Sequence, residues 1–71
     1  MKTYVLIDWD IVQGYTDEEV VAVAKDKQKL IDFVNKKGFE GEWNKDSTIF
    51  RRQTSNPDFK RGFQISETEE I

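Results

Sequence analysis

The chain has 71 residues, a formal net charge of −3, nine aromatic residues, no cysteine and no histidine. A chain of this length buries about 60% of the surface its unfolded form exposes, which leaves room for one core and excludes two domains. The absence of Cys and His excludes Ser–His and Cys–His nucleophile pairs and imidazole or thiolate zinc sites, so the chain is read as non-enzymatic and without cofactor or metal.

Apolar residues make up 37% of the chain, more than a disordered composition carries, although 35% is charged. A domain this small would gain from disulfide staples, so a cysteine-free one is expected in the reducing cytoplasm. The longest purely apolar run, residues 4–7, ends at Asp8 and is far too short for a signal-peptide core or a membrane span. Met1 followed closely by a strand is read as the start of a complete product.

Residues 2–11 are rich in β-branched and aromatic types, and period-two spacing sets Val5, Ile7, Trp9 and Ile11 on one face of a strand. This row is the expected inner face, with Trp9 in the core; Lys2, Tyr4, Leu6, Asp8 and Asp10 fall opposite. A turn is expected through residues 13–17. Residues 18–24 mix helix-favouring Glu and Ala with three valines, and are read as a strand because Asp26 starts a new helical pattern directly afterwards.

Over residues 27–37, Leu30, Ile31, Phe33 and Val34 span an arc of roughly 160° at 100° per residue. This predicts an amphipathic helix closed by Lys36, Lys37 and a left-handed Gly38. Residues 39–46 read as a loop or short irregular strand with Phe39 and Trp43 plugging the core edge. Residues 47–53 and 62–68 read as strands around the turn chemistry of residues 54–58, and the acidic tail, residues 67–71, is expected to fray.

One amphipathic helix must bury its stripe against one apolar sheet face. The expected fold is therefore a single α+β domain over residues 1–71, of β-β-α-β-β order: a four-stranded, mainly antiparallel sheet with the helix on one face and the other face open. The lettering of residues 4–6 (Tyr-Val-Leu), 20–23 (Val-Val-Ala-Val) and 63–67 (Phe-Gln-Ile-Ser-Glu) resembles small single-domain proteins of bacterial and prophage genomes. That resemblance implies a fold and a genomic setting, and no activity.

Two constellations stand out. Asp8 and Asp10 share a strand face at a spacing that could share a divalent cation, yet hard cations usually gather more oxygen ligands; the plainer reading is that they solubilise a strand end. Phe50-Arg51-Arg52 and Phe59-Lys60-Arg61 interleave aromatics with cations, as surfaces for bases and phosphates do, and Trp43 could join them as an exposed contact residue. Residues 45–61 hold five basic and two acidic residues, residues 8–26 one basic and six acidic. The competing reading puts Phe50 and Phe63 in the core and pairs the arginines across strands. The acidic net charge weakens a nucleic-acid role, because that affinity comes mostly from neutralised phosphates. Arg and aromatics are equally the residues of protein-protein hot spots. The leading expectation is thus a small protein-interaction or regulatory module that binds a protein or its own copy, with nucleic acid second and no membrane role.

Overall fold

In the computed structural model, which describes residues 2–56 and 58–69, the β-branched and aromatic residues at the start form β1, Lys2–Val12. The turn after it is tighter than expected. Gln13 and Gly14 both adopt positive φ, 50° and 85°, and a two-residue turn of this kind matches the twist of antiparallel strands. Tyr15, Thr16 and Asp17 therefore belong to β2, Tyr15–Ala24, which begins earlier than the sequence suggested. The β1–β2 register shifts once: Leu6 faces Ala22 and Ile7 faces Val20, which leaves Val21 as the extra residue of a bulge.

Helix α1 spans Lys27–Lys36. The Asp26 carboxylate accepts from the Gln28 N–H at 3.0 Å, and Gly38 at φ 72° ends the helix with its N–H donating to the Asn35 carbonyl. The next segment contains a regular strand that the sequence did not resolve: β3, Gly41–Trp43, pairs with β4, Ile49–Arg52. Its turn is built by Asn44, whose side-chain oxygen accepts from the backbone N–H groups of Thr48 and Ile49 at 2.8 and 3.0 Å. Strand β5 runs over Phe59–Glu69, so Phe59, Lys60 and Arg61 are strand residues. Glu67 to Glu69 are paired with Lys2 to Tyr4; Glu70 and Ile71 lie outside the described residues. At this end Lys2 meets Glu67 at 2.8 Å, and the hydrogen bond and charge of Glu67 hold the Lys2 ammonium above its ordinary pKa of 10.5.

Among the described residues the sheet thus has five strands, all antiparallel, in the order β2-β1-β5-β4-β3, and the element order is β-β-α-β-β-β. The buried core is Leu6, Leu30, Val34, Phe50, Phe63 and Ile65, flanked by Tyr4, Ala22, Ala24, Ile31 and Trp43. The helix therefore covers the face of Tyr4, Leu6 and Asp8. This reverses the expected assignment: Val5, Ile7, Trp9 and Ile11 lie on the helix-free face, half-buried by their neighbours.

The reason lies in the partner strands. On the covered face β2 offers Ala22 and Ala24, whose small side chains let α1 approach β1 and β2, and β5 offers Phe63 and Ile65. On the other face β5 offers Gly62, Gln64 and Ser66, too little apolar volume to meet a helix stripe. A ten-residue helix is about 15 Å long, whereas eleven-residue strands reach about 36 Å. Hence α1 covers less than half of a molecule whose long axis is 39 Å, and the far end of the sheet carries exposed side chains on both faces.

Candidate functional site

The seven residues singled out in the sequence divide by strand alternation. Phe50 is in the core on the helix side, and Trp43 packs beside it with ring centroids 5.2 Å apart while its Nε1–H donates to the Asn35 side-chain oxygen at 3.0 Å. Phe59 is half-buried opposite Val12. Arg52 and Arg61 rise from the helix side, Arg51 and Lys60 from the other.

Arg52 is the most constrained of the cations. Its side chain is 8% exposed, its Nη2 meets Asp8 Oδ2 at 3.2 Å, and its guanidinium packs against both Phe39 and Phe63, 4.3 and 4.0 Å from ring centroids that are themselves 5.7 Å apart. The planar, weakly hydrated guanidinium suits contact with two aromatic rings, where a strongly hydrated ammonium would not. Its Nε is buried and has no hydrogen-bond acceptor among the described residues.

The four cations meet again at the end of the sheet. Pairing between β4 and β5 stops at Arg51 with Gly62; beyond it Arg52 pairs with Gly41 and the Gln53 N–H turns to the Glu40 carbonyl. The strands fork, and the fork opens a cleft of about 400 Å3 lined by Trp9, Arg51, Arg52, Thr54, Lys60 and Arg61. Among the described residues no carboxylate lines it. Among the described residues Arg51, Lys60 and Arg61 make no ion pair.

Trp9 is the aromatic residue of this cleft, which sequence reading placed in the core. Its ring lies against Gly62: a Cβ there would stand 2.7 Å from the indole and 2.2 Å from the Phe50 carbonyl oxygen. Gly62→Ala is therefore expected to lose about 2–3 kcal/mol in chemical denaturation, because the backbone of β4 and the Trp9 ring must both shift. A loss below about 0.5 kcal/mol would show that the ring does not rest on Gly62.

Two further surfaces flank the cleft. The helix-free face presents Val5, Ile7, Trp9 and Ile11 on β1, with Val20 and Val23 beside them on β2 at 58% and 61% exposure and Ile49 on β4. Beyond the helix on the other face, Asp10 stands opposite Asp17 and Asp8 opposite Glu19, like charges whose repulsion costs stability. Among the described residues no three acidic side chains gather closely enough to hold a metal ion.

Sequence reading missed Trp9, Ile7, Val20 and Val23 as surface residues. The available signal was in β2, where alternation sets small alanines on one face and valines on the other. The bulge at Val21 breaks that alternation and hid it. Among the described residues no helix is long and apolar enough to cross a membrane. Comparison with protein-family models, with curated proteins and with solved structures gives no significant match.

Proposed function

We propose that this chain is a non-enzymatic protein-interaction module whose docking surface is the helix-free sheet face. The observation that supports this is the apolar ridge of Val5, Ile7, Trp9 and Ile11, widened by the exposed Val20 and Val23. Two adjacent strands of this length present on the order of 300 Å2, the size of the largest, usually functional patch on a monomer. Polar neighbours on β5, Gln64, Ser66 and Thr68, rim the ridge on one side. The partner is a protein with a complementary apolar face, or a second copy of this chain. The cytoplasmic setting rests on the cysteine-free composition, and the phage-related one on the lettering of three strand segments.

Photocrosslinking tests the reading. With p-benzoylphenylalanine in place of Val20 or Ile7, cells expressing the chain should yield discrete adducts, and with the same group in place of Lys29 on the outer side of α1 they should not. The adduct mass separates a second copy from a different protein. Equal labelling from all three positions, or none from Val20 and Ile7, would refute the docking face.

A further inference from the structure

We infer that the fork between β4 and β5 binds an organic phosphate carrying a planar ring, a ligand of about one nucleotide. The cleft, about 400 Å3, lies at the small end of the roughly 300–1,000 Å3 range of small-molecule sites. Four of its six lining residues are cationic and none is acidic; Arg52 is already paired with Asp8 and Arg61 also borders the acidic side chains of β1 and β2, so Arg51 and Lys60 are the cations most open to an anion. Arg51, Lys60 and Arg61 have no ion-pair partner among the described residues, which leaves their donors for phosphate oxygens. Arg52, whose charge is met by Asp8, adds a buried Nε that lacks an acceptor among the described residues.

A bare anion would not need the one aromatic residue in this lining. Trp9 rests against Gly62, and that contact positions its indole at the wall of the cleft, where it can stack with a planar ring. Such stacking tolerates any base, because every base has a π-face. Phosphate on the cations and ring on the indole together define the ligand class.

The surroundings limit its length. Glu18 stands opposite Trp9, Glu42 opposite Arg51 and Asp10 opposite Arg61, so negative charge closes around the cleft within one strand spacing. A long polyphosphate backbone would meet these carboxylates, and the chain carries a net charge of −3. The cleft therefore takes one nucleotide unit, either free or as the end of a single strand.

Two-dimensional amide and indole NMR spectra of the full chain, titrated with adenosine monophosphate, with a single-stranded ten-nucleotide DNA and with inorganic phosphate, test this. The nucleotide should move the Trp9 indole and the amides of Arg51, Lys60 and Gly62, and leave the Trp43 indole unmoved. Inorganic phosphate should bind at least about tenfold more weakly, since it forgoes the stacking. Equal affinity for the mononucleotide and the oligonucleotide assigns the free nucleotide as ligand, whereas a gain for the oligonucleotide that vanishes at high salt assigns a strand end; both support the site. Arg51→Gln with Lys60→Gln should weaken binding by about tenfold or more, and Trp9→Leu should make the nucleotide no better than phosphate. No movement of the Trp9 indole at millimolar nucleotide, or phosphate binding as tightly as the nucleotide, would overturn the inference.

Discussion

Leu6→Ala should cost about 3–5 kcal/mol, most of the stability of a chain this size. Leu6 is 0% exposed and sits in the core with Leu30, Val34, Ile65 and Phe63. Truncating a fully buried leucine removes its transfer energy and leaves a cavity, and the size of the loss depends on how far the walls relax. Here they are held on two sides, by a helix capped at both ends and by β1 paired to both β2 and β5, so little collapse is available. At about 0.05–0.15 kcal/mol per residue, a 71-residue domain is stable by only some 4–10 kcal/mol, which puts the variant at the edge of folding. Ile7→Ala, one residue along the same strand but on the helix-free face, should cost under about 1.5 kcal/mol, because the truncated atoms are only half-buried. Urea unfolding of the two variants, followed by circular dichroism, makes the comparison. Equal losses would mean that the helix does not sit where the structure places it.

That pair of substitutions marks the boundary of what the sequence disclosed. The helix was legible in full, because its N-cap, its apolar arc and its terminal glycine are local signals that agree with one another. The strand identities of β1, β2, β4 and β5 were legible from β-branched and aromatic content. The choice of face was not, since period-two spacing divides a strand into two rows without saying which row meets the helix. Val5, Ile7, Trp9 and Ile11 form the more apolar row of β1, yet the outcome depends on Ala22, Ala24, Phe63 and Ile65, residues far away along the chain. Strand β3 was hidden because Gly41-Glu42-Trp43 has no alternating pattern of its own and becomes a strand by pairing with β4 and by the Asn44 turn. The cations were legible as a group. Their gathering around one cleft with Trp9 was not, because it follows from where β4 and β5 part.

Arg52→Ala should cost about 2–4 kcal/mol, a large effect for a residue with a formal charge in a chain of this size. Removing one member of a buried ion pair strands the other, a loss of about 3–5 kcal/mol when the pair is fully buried. Asp8 is 27% exposed and recovers part of its hydration, which reduces that share. The guanidinium also stacks on Phe39 and Phe63, and its stem covers the edge of the core, so packing is lost along with charge. Arg52→Lys keeps the charge but should recover less than half of the loss, because an ammonium on a flexible stem does not pack its head group against both rings as a guanidinium does. Arg52→Met with Asp8→Asn removes both charges and keeps an apolar body against Phe39 and Phe63; it should fall within about 1 kcal/mol of the parent chain. The coupling between the two positions, from a double-mutant cycle of Arg52→Met, Asp8→Asn and their combination, is expected at about 1–2 kcal/mol. Strict additivity would instead mean that stacking alone holds Arg52. Its reach across β5 toward Asp8 would then be a consequence of packing on the two rings, with no contribution from the carboxylate.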